Sequence, residues 1–525
     1  GITGAGVARD AAMRGLRTVL VEKGDFGSGT SSRSSRLVHG GLRYLETGDL
    51  PLVLEANRER RTLLQIAPHL VRPLAFVFPL HQGDRISPLR LAAGMWLYDL
   101  LAMFGNVRMH RLLSKRGVLE REPMLRERGL RGGAVYYDAQ CDDARLTLAT
   151  VRSAVHHGAL VANYIAVEGL ERSNDRITGA AVVDRLTGEQ AMLRAGVVVN
   201  AAGPWADRLR ALEDPSAAPL LRPTKGVHIV VERARLGHRG AITFLSPLDG
   251  RVMFILPWND EHSYIGTTDT DTAESPDTLT VNEEEVVYLL RSANARFPGA
   301  RLGLEDVRAA WAGLRPLLIG PGDDTSGRSR EHVIEISAGG LITVAGGKLT
   351  TYRAMAAEAV GRAVRELVLR DGKPRPGAAA TADDPLPGGE ARDLTPFRER
   401  GIEMGLLPES VDYLLSLYGT ESAAVYNLGA DDRRLFRRLA APHPAIEAQV
   451  VHAVRRELAL TVEDVLVRRL HVYYERSDHG VPVARRVAEL MGLELGWDEE
   501  LIEAERNRYL AMVRATRIRG VLGGR

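Results

Sequence analysis

The segment Thr30-Ser31-Ser32-Arg33-Ser34-Ser35-Arg36-Leu37-Val38-His39-Gly40-Gly41-Leu42-Arg43-Tyr44-Leu45-Glu46 concentrates five hydroxyls, three arginines and two adjacent glycines. Arginine meets phosphate through two parallel hydrogen bonds, and paired glycines let the backbone approach a ligand closely. That chemistry suits a phosphate-bearing partner. A bland surface loop of the same composition is equally compatible with these residues alone.

The segment follows a nucleotide-binding pattern. Gly1-Ile2-Thr3-Gly4 opens a helical run to Gly15, and Arg17-Thr18-Val19-Leu20-Val21-Glu22 reads as a buried parallel strand ending in an acid. Gly1 reads as the second glycine of a G-x-G-x-x-G fingerprint and Gly4 as the third. The expectation is that the first glycine and the strand before it lie outside this sequence. Such glycines bring a pyrophosphate to a helix N-terminus, and the strand-end acid, Glu22, takes ribose hydroxyls. The alternative is a Gly/Ala-rich helix merely packing on a sheet.

Further along, small residues again follow apolar strands. Val197-Val198-Val199-Asn200-Ala201-Ala202-Gly203-Pro204-Trp205 offers room for a cofactor or a tight strand–helix turn. Leu341-Ile342-Thr343-Val344-Ala345 runs into Gly346-Gly347-Lys348-Leu349-Thr350-Thr351-Tyr352-Arg353, a Gly-Gly turn at a helix start and so an electropositive site. Lys225-Gly226-Val227-His228-Ile229-Val230-Val231 places one histidine in an apolar strand, where a structural role is the usual one. Gly266-Thr267-Thr268-Asp269 suggests a pocket edge without firm residues. Gly313-Leu314-Arg315 and Arg328-Ser329-Arg330 add basic groups near turns.

These sites need elements to carry them. Helices are predicted from Leu50 to about Ala67, from about Arg85 to Phe104, after Asp142 to about His157, and from Asn282 to about Phe297. Strands are predicted at Phe76 to Pro79, Ala159 to Ala166, Ile242 to Leu245, Val252 to Pro257, Ser263 to Thr268, Val307 to Ala312 and Val333 to Ile336. The fold class is mixed, α/β and α+β. A Rossmann-like domain (1–75, 140–215 and 331–371) carries an antiparallel-sheet substrate or cap domain (76–139 and 216–330). A Pro/Gly-rich linker (372–392) leads to a charged helical domain (393–525). The stretch 85–104 is apolar and aromatic with Arg85, Arg90, Arg108, Arg111, Lys115 and Arg116 around it. It fits a helix lying in a membrane interface, or a core helix with a basic edge.

Composition narrows the class. The chain has 525 residues, 45% hydrophobic and 26% charged, ordinary values for a multidomain globular protein. A net charge of +2 gives no general argument for nucleic acid as a partner. One cysteine, Cys141, excludes an intramolecular disulfide and a cysteine metal cluster, so a reducing compartment and no metal site are expected.

The run TSSRSSRLVHGGLRYLE, with NAAGPW, KGVHIVV, GGKLTTYR and, near the end, TVEDVLVRR, resembles the FAD-dependent glycerol-3-phosphate dehydrogenases, a family of D-amino-acid-oxidase-like flavoproteins. The resemblance spans nearly the whole chain. It implies FAD as cofactor and oxidation of sn-glycerol 3-phosphate to dihydroxyacetone phosphate. Hydride would pass from C2 to flavin N5, and electrons on to a membrane quinone. It implies peripheral attachment to the inner face of the cytoplasmic membrane, with a homodimer as a candidate assembly. Arg315 and Arg330 would hold the substrate phosphate, with Arg43 near the reacting end and Tyr44 hydrogen-bonding the substrate. His228 would be the base, kept neutral by surrounding cations, and Lys348 would stabilise the developing alkoxide. FAD would lie against Gly1, Gly4, Glu22 and Lys23, then Thr30, Ser31, Ser32, Arg36, His39, Gly40, Gly41 and Leu42. It would also meet Ala202, Gly203 and Trp205, and Gly346, Gly347, Lys348, Leu349 and Thr350. An oxidase using oxygen and producing hydrogen peroxide, another amine or 2-hydroxy-acid oxidase, and a non-catalytic flavin-binding protein are the competing readings.

Overall fold

The computed structural model describes residues 1–45, 49–102, 107–319, 332–372 and 377–516. Along strand Thr224–Glu232 successive side chains point to opposite faces. Val227, Ile229 and Val231 pack with Val286, Leu289, Leu290 and Ala293 of helix Glu283–Arg296. Each such valine, leucine or isoleucine side chain contributes roughly 1.5–3 kcal/mol of burial. The helix starts where Asn282 N–H donates to the Glu285 carboxylate at 3.1 Å, a local start signal written in the sequence. On the other face Val230 joins a second core with Tyr264 and Trp311.

This strand belongs to a ten-stranded sheet. Its main order is Thr270–Asp271, Thr224–Glu232, His262–Gly266, Val252–Pro257, Ala241–Leu245, Val71–His81, Leu130–Cys141 and Leu37–Val38. Val307–Arg315 pairs with Thr224–Glu232, and Arg111–Leu113 with Leu130–Cys141. The sheet is antiparallel as expected, except that Ala241–Leu245 runs parallel to Val71–His81. The short strand expected at Phe76 to Pro79 extends over Val71–His81, because pairing with Leu130–Cys141 continues through its polar start.

The parallel layer is in two pieces. Val19–Glu22 pairs with Leu160–Asn163, and Val199–Asn200 pairs with Ile342–Gly346, which also meets His332–Ile336 antiparallel. Among the described residues no strand joins the two pieces. The strand expected from Ala159 to Ala166 is broken at Tyr164, whose φ of +59° turns the chain. Leu160–Asn163 stays in the parallel layer, while Ile165–Ser173 starts a three-stranded meander with Arg176–Asp184 and Gln190–Arg194. Helices Ile2–Met13, Asp143–His156 and Tyr352–Asp371 pack on the layer, and Asp142 caps the second by accepting from Arg145 N at 3.0 Å.

The C-terminal region is helical, from Thr395–Glu403 to Glu499–Thr516, with a π-helical turn at Asp464–Arg469. Buried ion pairs fasten it to the rest: Arg145 to Glu457 at 2.7 Å, and Arg468 and Arg469 to Asp25. The stretch before it is anchored too. Arg9 donates to the Thr381 carbonyl at 2.9 Å, and Leu386 is buried with Ile66 and Leu70.

Candidate active site

His228 faces away from the Val227–Ile229–Val231 core, between Gly266 on one neighbouring strand and Trp311 on the other. A Cβ on residue 266 would lie 2.1 Å from His228 Cδ2, so only glycine leaves room for the ring. The Trp311 ring stacks on the imidazole at 4.9 Å and 8°. His228 Nε2 lies 2.9 Å from Ser35 Oγ. Burial, then the charges of Arg315 and Arg36, pull the His228 pKa down to about 3, so the ring is neutral at physiological pH.

Arg315 ends strand Val307–Arg315. Its guanidinium donates to Asp269 Oδ1 at 3.0 Å, Thr267 Oγ1 at 2.9 Å and the Thr268 carbonyl at 2.9 Å. The Gly-Thr-Thr-Asp run is therefore the cradle that aims Arg315. Lys348 follows strand Ile342–Gly346 through Gly346 and Gly347, at φ +76° and +79°, a left-handed pair that glycine adopts without strain. Its Nζ sits 3.5 Å over the ring of buried Tyr44, which stacks on His39 with centroids 6.3 Å apart.

His228, Arg315, Lys348 and Tyr44 all line one cavity of about 2000 Å³. The same cavity runs past Gly1, Gly4, Glu22, Lys23, Thr30 and Ser31, past His39 and Leu42, and past Ala202, Gly203 and Trp205. It then reaches Gly346, Gly347, Leu349 and Thr350. Its volume leaves room for a dinucleotide, with glycines and Glu22 in one part of the lining and Arg315 and Lys348 in another. Glu22 Oε2 lies 3.0 Å from the Gly1 nitrogen, so the strand-end acid and the start of helix Ile2–Met13 adjoin. That helix start offers backbone N–H groups and a positive dipole end to a pyrophosphate. Lys23 lies 4.1 Å over the Trp205 ring, and both bind Asp277. Several hydroxyls serve the protein itself: Ser31 Oγ accepts from Ile2 N at 2.9 Å, and Thr30 Oγ1 donates to the Leu314 carbonyl at 2.7 Å.

Ser32, Arg36, Gly40 and Gly41 do not line the cavity. Arg36 is turned away and buried, its guanidinium 3.7 Å over Trp258 and 3.5 Å from Asp143. Gly40 N donates to Asp138 Oδ1 at 2.9 Å, and Gly41 turns the chain at φ +81°. Arg330 and the Arg43 side chain lie outside the described residues. Sequence reasoning did not single out Ser35 or Trp311, and it offered Thr267 and Asp269 only as part of a pocket-edge run without assigned roles. Ser35 sat in plain view inside the hydroxyl-rich run, but nothing local separates it from its four neighbours. The contacts of Trp311 and Asp269 exist only through strand pairing.

Residues 1–353 match the family of FAD-dependent oxidoreductases (DAO), and residues 379–502 match the C-terminal domain of alpha-glycerophosphate oxidase. The chain is 39% identical to glycerol-3-phosphate dehydrogenase 2 of Mycobacterium tuberculosis, over 98% of this chain and 87% of that protein. It is 38% identical to the human mitochondrial glycerol-3-phosphate dehydrogenase, over 95% of this chain and 70% of that one. The glycerol-3-phosphate dehydrogenase of Bacillus halodurans, solved with FAD, superposes with a TM-score of 0.82 at 32% identity, over 100% of this chain and 95% of that one. With two family models matched in order, and relatives of this closeness aligned along nearly its full length, the chain belongs to the FAD-dependent glycerol-3-phosphate dehydrogenases.

Proposed function

We propose that the protein oxidises sn-glycerol 3-phosphate to dihydroxyacetone phosphate in the cavity between His228, Arg315 and Lys348, and that a membrane quinone takes the electrons. The observation that carries the reading is the convergence of one neutral histidine and two cations on a cavity that also reaches the helix start at Gly1–Gly4 and Glu22. FAD held by the helix start at Gly1–Gly4, by Glu22 and by the Gly346–Gly347 turn would supply the hydride acceptor.

Arg315 binds the phosphate dianion. Its guanidinium is already oriented by Thr267, Thr268 and Asp269, so little rotamer freedom is lost on binding. His228 takes the proton from the C2 hydroxyl. Its low pKa in the free protein keeps it deprotonated, and the arriving dianion raises its proton affinity. Lys348 offsets negative charge developing on the C2 oxygen. Tyr44 fixes Lys348 from below and closes that wall. Arg43 and Arg330, expected from the family resemblance to join in phosphate binding, lie outside the described side chains.

Helix Pro88–Leu101 supports the membrane acceptor. It buries Leu91, Met95 and Tyr98 yet leaves Leu89, Trp96 and Leu100 exposed. Val107, Met109 and Leu112 add exposed apolar surface nearby in sequence, among Arg108 and Arg111. An apolar outer face with basic flanks suits a headgroup boundary. No helix among the described residues is long and apolar enough to cross a membrane.

The test is anaerobic addition of glycerol 3-phosphate to the purified flavoprotein. Loss of the visible flavin absorbance is expected, and persistence of the band with this substrate would sink the proposal. Assaying the same protein with a soluble quinone and with oxygen separates the dehydrogenase from a peroxide-forming oxidase.

A further inference from the structure

We propose that Ser35 is a positioning residue for His228, and that the C-terminal helical region holds Ser35 in place. The inference rests on the reading of His228 as the base. Two contacts orient the imidazole. Trp311 stacks on its face and fixes the plane of the ring. Rotation within that plane is fixed by the Ser35 hydroxyl on Nε2, since Nδ1 is buried without a hydrogen-bond partner among the described residues.

Ser35 is in turn held from several sides. Its carbonyl accepts from the Tyr264 hydroxyl at 3.0 Å, and the Ser34 carbonyl accepts from Trp311 Nε1 at 3.3 Å. Ser34 Oγ and N donate to Asp143 Oδ2 at 2.7 and 3.1 Å. The next residue, Arg36, sits at φ +53°, a left-handed conformation that an arginine keeps only when its surroundings impose it. Those surroundings are Asp143 and the face of Trp258.

Trp258 leads to the C-terminal region. Its Nε1–H donates to Glu475 Oε1 at 2.6 Å, and His443 Nε2 holds the other carboxylate oxygen at 2.8 Å. Tyr474 packs between Trp258 and Trp311, at 5.4 and 5.6 Å between centroids. His471 bonds Asp142, the neighbour of Asp143. Residues that do not line the cavity thus set the turn that aims the base.

A double-mutant cycle on the FAD-loaded protein tests this, reading the rate of anaerobic flavin bleaching by glycerol 3-phosphate. Ser35→Ala is expected to lower that rate by about tenfold, with KM shifted by less than about threefold and flavin content unchanged. Ser35→Thr should restore most of the rate. In a His228→Asn background Ser35→Ala should cost nothing more. Trp258→Phe keeps an aromatic face for Arg36 but loses the indole N–H, and its loss should overlap with that of Ser35→Ala rather than add to it. Glu475→Ala removes the same bond from the other side if Trp258→Phe does not fold. A Ser35→Ala rate equal to wild type, or a full additional loss in the His228→Asn background, overturns the proposal while leaving the base assignment standing. A His228→Asn protein with wild-type rate removes the base assignment itself, and the positioning role with it.

Discussion

At the scale of single residues, the site works by removing choices. His228 is confined by a tryptophan face, a serine hydroxyl and the absence of a side chain at Gly266. Replacing Gly266 with alanine would drive a methyl into the ring, so turnover should collapse while FAD stays bound; comparing kcat with the flavin absorbance of the purified variant checks this. His228→Asn should slow the reductive step by about 10²–10⁴-fold, the usual worth of a positioned general base, as read by rapid mixing without oxygen. Arg315→Lys keeps a charge but loses the planar fork that Thr267, Thr268 and Asp269 orient. Its KM should rise by roughly tenfold or more, in line with the roughly 1.5–3 kcal/mol of a charged hydrogen bond, with a smaller effect on kcat.

At the scale of elements, helix Pro88–Leu101 and the turn Asp464–Arg469 carry opposite kinds of consequence. The outer face of the helix is expendable for folding, because Leu89, Trp96 and Leu100 are exposed while its inner face packs. Replacing these three with serine should leave glycerol-3-phosphate oxidation with a soluble acceptor intact and reduce sedimentation with anionic lipid vesicles. Retained vesicle binding would remove this helix as the proposed membrane contact. The turn is the reverse. Arg468 and Arg469 share buried Asp25, on the loop just after Glu22. Asp25→Ala would leave two guanidiniums buried without that carboxylate, a loss of about 3–5 kcal/mol by the usual cost of breaking a buried pair. Weaker FAD retention should accompany it, since the same loop leads into the cavity wall; thermal unfolding and flavin content together read both.

At the scale of the whole molecule, buried neutral histidines make stability depend on pH. Burial, the leading cause in each case, pulls His69 and His228 down to about 3 and His238 and His452 to about 4. In the unfolded chain these groups titrate near roughly 6.5. Below that pH the unfolded state binds protons that the folded state refuses. The stability these residues contribute is therefore complete above about pH 6.5 and is lost as pH falls toward 3–4. Each can account for at most about 1.4 kcal/mol per pH unit. The urea midpoint should fall between pH 7.5 and pH 5.5, and an unchanged midpoint would contradict the neutral, buried state of the four rings.

The sequence by itself determined what depends on neighbours along the chain. The glycines beside apolar strands, the strand-end acid Glu22, the capped helices after Asp142 and Asn282, and the alternating face of Thr224–Glu232 all follow from local sterics and periodicity. The flavoprotein architecture itself was implied by the family resemblance that the ordered motifs carry. Only the tertiary structure decided which polar groups reach the cavity. Arg36 and Ser35 are adjacent and both polar, yet one turns into a clamp on Trp258 and the other meets His228. That choice is made by residues about a hundred to more than four hundred positions away, Asp143, Trp258, Trp311 and Glu475 among them. No local propensity encodes it, because it comes from strand register and from the desolvation cost that obliges every buried charge to find a partner.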